Sequence, residues 1–179
     1  MKRVQFLKAK IDRYLYKEQL LKNQECTKLE KPFLVKSRKN LSIANLLFNI
    51  SEKDDLKKSL SLASGFEAHE WVIISSYYSM YTAALAALAK LGFKSKSHAA
   101  TIAILEYHYV HKGDLESKHI HKLSKAYEIS EELITKLIQT KNRREAAQYD
   151  ATPAISRENA KTALEDADEF ITKIEEILI

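Results

Sequence analysis

The chain has 179 residues, a net charge of +5 at pH 7 and a pI near 9.1, with 45% hydrophobic residues but only three glycines and two prolines. That length suits one domain, or one domain with an extension, and a domain of this size buries roughly 70% of its unfolded surface without needing staples. The single cysteine, Cys26, excludes an intrachain disulfide and fits a reducing cytoplasm, while the charge is compatible with nucleic acid and equally with simple solubility.

Residues 1–23 carry charges throughout and contain no signal-peptide pattern. Val4, Leu7, Ile11, Tyr14, Leu15 and Leu21 recur at spacings of three and four, which predicts one amphipathic helix. Residues 24–40 lack that period and hold Pro32 with Lys28, Lys31, Lys36, Arg38 and Lys39, so they read as a solvated basic linker. The expected division is therefore a helical extension and linker over 1–40 and a bundle over 41–179. Residues 41–64 read as helical with a break near Ser51, where Ser51 and Asp54 resemble a capping box with a shorter acid.

Gly65-Phe66 marks a turn. Residues 67–91 then place Trp71, Ile74, Ser75, Tyr78, Tyr81, Thr82, Leu85, Leu88 and Ala89 on one face, with Ala83, Ala84, Ala86 and Ala87 keeping the helix slim enough for another backbone to approach. The apolar run 83–89 ends at Lys90, far short of the ~18 residues of a membrane span, so no membrane association is expected. Gly92 is placed to end this helix in a left-handed conformation. Ser97 caps the next helix, which stops at Gly113. Residues 114–150 are helical, with an interruption near 128–130, until Thr152-Pro153 breaks them. Ser156 caps a last helix with Ala160, Ala163, Leu164, Ala167, Phe170, Ile171, Ile174, Ile177 and Leu178 in register. No segment alternates with period two. The fold class is all-α: an up-and-down antiparallel bundle of about five helices with an extra N-terminal helix.

Chemistry-bearing residues are few. His98, His108, His111, His119 and His121 cluster in sequence, and Glu116 with His119 forms one Glu-x-x-His. A di-iron bundle needs a second such pair, which is lacking, so no metal and no cofactor are expected. Tyr77, Tyr78 and Tyr81 fall at helical spacing beside Ile74 and Leu85 and read as core. There is no glycine-rich phosphate loop and no nucleophile elbow. What stands out is residues 140–150. After Leu133, Ile134, Leu137 and Ile138 the apolar face stops, yet the helix continues through Lys141, Arg143, Arg144, Ala147 and Gln148. This is either a solvated helix end paired to an acid such as Glu165, or guanidiniums presented to phosphate, whose oxygens a planar fork matches.

Four segments, Gly65-Phe66-Glu67, Ser76-Tyr77-Tyr78-Ser79-Met80-Tyr81-Thr82-Ala83-Ala84, Lys96-Ser97-His98 and Arg144-Glu145-Ala146-Ala147-Gln148-Tyr149-Asp150, together resemble the HEPN family (higher eukaryotes and prokaryotes nucleotide-binding), in its small stand-alone archaeal and bacterial branch. The resemblance covers roughly residues 41–179. It implies a bundle of four or five helices, usually dimeric, in an RNA-related setting. Many members are metal-independent ribonucleases; others are toxins paired with a minimal nucleotidyltransferase antitoxin, or inactive sensors. Active members carry an arginine and, four to six positions later, a histidine, both lining a cleft at the dimer interface. Here those positions hold Ala147, Gln148 and Tyr149 after Arg143, and no histidine follows His121. Histidine titrates near 6.5 and tyrosine near 10, so Tyr149 would need a shift of about three units, roughly 4 kcal/mol, to act as a base at neutral pH.

Three readings follow. The first is a cytoplasmic homodimer, the toxin-type partner of a nucleotidyltransferase, binding RNA or nucleotide through Arg143, Arg144 and Gln148 with Tyr149 beside them, Arg144 and Tyr149 being the catalytic candidates. Tyr149 is also the residue that such a partner would adenylylate. The second is a degenerate metal-independent ribonuclease, and the third a non-catalytic interaction bundle. A dimer is expected to bury either residues 83–89 or the Arg144 helix end.

Overall fold

In a computed structural model the protein is described over residues 2–143 and 156–179, with side chains over 3–135 and 156–179. Four long helices set the architecture: α2 (Glu30–Glu52), α4 (His69–Lys90), α6 (Ser117–Arg143) and α7 (Arg157–Leu178). Around them lie α1 (Lys2–Tyr16), the short α3 (Asp54–Ser59) and α5 (His98–Leu105), a 3-10 turn (Gln24–Leu29), a π-helical turn (Glu106–Val110), and a two-stranded ladder of β1 (Leu20–Lys22) and β2 (Phe93–Ser95). The all-α bundle expected from the sequence is what forms.

Helix α4 is the axis of the fold. It packs against α2, α6 and α7, and its Ala83, Ala84, Ala86, Ala87 and Ala89 are all 0% exposed. The alanines allow close backbone approach, and two serines use it. Ser37 Oγ donates to the Ser79 carbonyl and Ser79 Oγ donates to the Ser37 carbonyl, both at 2.9 Å, with both residues fully buried. This reciprocal pair fixes α2 antiparallel to α4. At the other end of the same contact, Ala44 and Val72 share a small apolar cluster with Ala160 of α7.

Helix α7 runs parallel to α4, since Lys90 Nζ reaches the Leu178 carbonyl at 2.8 Å where both helices end. It is antiparallel to α2, to which Arg38 ties it: Nη1 donates to Asp168 and Nε to Glu175, each at 2.9 Å. Lys122 on α6 meets Asp166 and Glu169 of α7, both at 2.7 Å. Tyr127 of α6 meets Tyr77, and Leu133 meets Ile73 and Ile74, so α6 descends antiparallel to α4. By length and composition α4 is sufficient to cross a membrane; here 78% of its most apolar window is buried inside the fold, as in the core helix of a bundle.

Several local expectations are corrected. Residues 24–40 are not a linker: the 3-10 turn leads directly into α2, whose first half they form, with Ser37 buried and Arg38 bound to α7. Pro32 lies in the first turn, where its missing N–H has no intrahelical partner to lose. This half of α2 meets the core through Phe33, Leu34 and the buried Ser37, a short face easily lost among the lysines around them. Ser51 does not cap α3. Its hydroxyl donates to the Leu47 carbonyl and accepts the Ala68 amide, joining α2 to the segment before α4. No interruption occurs at 128–130, and Ser130 is buried within a continuous α6. The β1–β2 ladder, with Leu20 opposite Ser95 and Lys22 opposite Phe93, is three residues long, too short to leave an alternating pattern in sequence.

Trp71 and Tyr78, placed on the packed face of α4, are instead 52% and 43% exposed. Three neighbouring helices cover the alanine side and its flanks, leaving these bulky residues on the remaining strip. The same packing buries Ala83, Ala84, Ala86, Ala87, Leu88 and Ala89 within the protomer and leaves Leu85 partly exposed. Gly92 takes φ +76 and Gly113 φ +87, as expected at both helix ends. Ser97 and Ser156 accept from the Ala100 and Asn159 amides, each at 3.2 Å, as the expected caps.

Candidate functional site

Among the described side chains, α6 seats Leu133 and Ile134 in the core, against Ile73, Ile74 and Ala163. The helix continues to Arg143, nine residues beyond Ile134. At 1.5 Å per residue that is about 14 Å. Helix α4 extends only four residues, about 6 Å, past Ile73 to His69, so the last turns of α6 overshoot the start of α4. Arg143 is the last described residue of α6. Its side chain, and Arg144, Gln148 and Tyr149, lie outside the described residues.

The up-and-down topology gathers other chain ends at this pole: the end of α2 and the starts of α4 and α7. Arg157, the first residue of α7, donates from Nε to Glu52 Oε2, and its guanidinium sits 5.9 Å from the centre of the Phe48 ring. The Arg157 hydrogen bond holds the Glu52 carboxyl below the usual range, against an opposing effect of burial. Glu52 Oε1 also faces His69 Nε2 at 3.6 Å, while His69 Nδ1 lies 3.8 Å from Glu67 Oε2. The His69 ring is 5% exposed and its Nε2 has no hydrogen-bond partner. It faces the protein interior, so it does not supply the solvent-facing base that the 140–150 strip lacks. The sequence reading missed this cluster. The signal was topological: once α2, α4 and α7 are assigned as alternating helices, Glu52, His69 and Arg157 must meet at one end.

A second cluster unites two of the motif segments. His98, at the start of α5, stacks on Tyr127 with centroids 4.1 Å apart and planes 11° apart, and approaches Tyr81 and Tyr77 at 6.0 and 6.2 Å. Both imidazole nitrogens are buried without a partner. Burial pushes the ring down to about 4, so it is neutral at pH 7. Burial likewise raises the Tyr77 phenol, and that of Tyr127 in the same direction. A neutral histidine and protonated tyrosines do not exchange protons near neutrality. The cluster joins α4, α5 and α6 by ring packing, as expected for Tyr77. Among the described residues no group of three or more His, Cys, Asp or Glu is arranged to hold a metal.

The four long helices define the class of all-α helical bundle. The family model described as HEPN domain matches residues 44–177, about three quarters of the chain, and the protein belongs to this family. The match begins inside α2, leaving α1, β1 and the first half of α2 outside it. No curated protein matches the chain.

Proposed function

We propose that this HEPN-family protein is a homodimeric, cytoplasmic RNA- or nucleotide-binding partner of a nucleotidyltransferase in a toxin–antitoxin-like pair. Arg143, Arg144 and Gln148 bind phosphate, and Tyr149 is the residue open to modification. What supports the reading is membership of this family together with the run of the α6 backbone to Arg143, past the level at which α4 starts. Guanidiniums suit a phosphate because each donates paired hydrogen bonds in one plane. Cleavage is a separate matter, since the strip has no histidine and His69 and His98 are turned inward or neutral. The protein therefore binds without cutting.

The test is fluorescence anisotropy with a labelled single-stranded RNA, alongside incubation of the same RNA in EDTA. Arg143→Ala/Arg144→Ala is expected to weaken binding at least tenfold and to shrink its salt slope. Equal binding by this variant sinks the site. Cleavage by the wild type that the variant loses establishes the ribonuclease reading instead. Pairing is tested by mixing with a minimal nucleotidyltransferase and ATP: mass spectrometry is expected to show one added AMP, absent in Tyr149→Phe, and a chain that stays unmodified sinks the pairing.

A further inference from the structure

Helix α1 lies outside the family match and carries an unusual share of the charge. Residues 2–17 hold Lys2, Arg3, Lys8, Lys10, Arg13 and Lys17 against one acid, Asp12. Their excess of five equals the net charge of the whole chain, so the rest of the protein is neutral overall. The helix is docked by Leu7 and Ile11, 5% and 7% exposed, packing with the α5 and Glu106–Val110 region, and Arg3 pairs with Glu106 at 3.3 Å. With its apolar side thus occupied, the free side shows cations and aromatic rings: Phe6 is 67% and Tyr16 89% exposed.

Phe6 lines a shallow groove of about 490 Å³ with Ala9, Lys10, Arg13, Tyr14, Lys17 and Gln19, and Tyr16 stands outside it. Phe6, Lys10, Arg13 and Lys17 follow one another at i, i+4, i+7 and i+11, a single helical row. Lys10 Nζ is 6.0 Å from the centre of the Tyr14 ring. The Lys96 amide donates to the Gln19 carbonyl at 2.9 Å, which brings a fourth cation to the end of the row. Asp12 and Glu18 are the local acids.

We propose that this face of α1 is a second nucleic-acid contact, a cationic track with stacking platforms for single-stranded RNA. Three candidate ligands carry negative charge, and the geometry separates them. An anionic bilayer would draw on the apolar face of the helix, and Leu7 and Ile11 are already buried in the protein. An acidic peptide satisfies the cations but leaves the two most exposed rings idle. A single strand uses both: its phosphates follow the lysine and arginine row while a base covers Phe6 in the groove, with Tyr16 a further exposed ring around the helix. This rests on the RNA part of the function proposed above and adds a tether remote from the 143–149 strip in sequence and carried by a different helix.

The test is anisotropy of a labelled uridine 12-mer over a salt series with the full-length protein. Lys10→Glu/Arg13→Glu/Lys17→Glu is expected to weaken binding more than tenfold and to reduce the slope of log K against log salt by about two, near 0.7 per lost phosphate contact. Phe6→Ala/Tyr16→Ala is expected to weaken it five- to tenfold with the slope unchanged. The altered side chains are surface ones, and circular dichroism checks that both variants fold. An unchanged slope in the charge variant overturns the proposal, as does charge-dependent binding to phosphatidylserine vesicles without RNA binding. Arg143→Ala/Arg144→Ala, run in parallel, separates the two ideas. If it alone abolishes binding, the α1 track falls and the strip stands; if only the α1 variants matter, the strip falls and the track stands.

Discussion

His98 shows how one side chain can be costly and still useful to the fold. Its ring fills the space between Tyr127, Tyr81 and Tyr77, but neither nitrogen is paired. With the folded-state value near 4 and the unfolded value near 6.5, the unfolded chain binds more protons between these limits. Stability is therefore fully present above pH 6.5 and falls as pH drops toward 4, by about 2 kcal/mol once screening of a partly exposed ring is allowed for. His98→Phe keeps the aromatic packing and removes both the proton and the unpaired nitrogens. It is expected to fold, to flatten the dependence of Tm on pH between 4 and 6.5, and to match or exceed the wild type at pH 5; an unchanged slope in thermal melts would contradict this. Ser79 supplies a second residue-scale test. Ser79→Ala loses one buried hydrogen bond, about 1 kcal/mol in urea melts. Ser79→Leu forces α2 away from α4 and is expected to cost about 3 kcal/mol or more.

Among the elements, the clearest sequence signals were those with a local cause. Ser97 and Ser156 begin helices because their hydroxyls satisfy amides that have no intrahelical acceptor, and Gly92 ends one because its backbone is left-handed. Signals with a distant cause were misread. The first half of α2 packs through Phe33, Leu34 and Ser37 and reaches α7 through Arg38, so its apolar stripe is broken by a serine whose role depends on a partner far away in sequence. Trp71 and Tyr78 look like core residues until α2, α6 and α7 are seen to occupy the other sides of α4. Gly92→Ala tests the local kind. A Cβ there would meet the Asn23 carbonyl oxygen at 3.4 Å on a backbone at φ +76, so a loss of about 1–2 kcal/mol is expected. Ser156→Ala is expected to cost about 1 kcal/mol. Denaturant midpoints with unchanged m values would check both.

At the scale of the molecule, the bundle and its family were legible because helix periodicity and the order of four motifs survive without knowledge of contacts. The arginine strip stands out in the sequence as a place where the apolar face stops, and its side chains lie outside the described residues. The cluster of Glu52, His69 and Arg157 was not legible, since its members are 105 residues apart at the extremes and only topology joins them. The same distinction separates burial within a protomer from burial between protomers. Slim, apolar residues 83–89 suggest a helix surface awaiting a partner, and the partners turn out to be the other helices of the same chain. Ala86→Leu should therefore act on folding and not on assembly. Adding three carbons to a site that is 0% exposed overpacks the centre of the fold, at a cost of about 1–3 kcal/mol. For a chain of this length that lowers Tm by about 3–10 °C. Light scattering of the folded fraction is expected to return the wild-type mass. A variant that melted like the wild type but halved in mass would place an intermolecular contact at Ala86 and overturn the assignment of α4 as the internal axis.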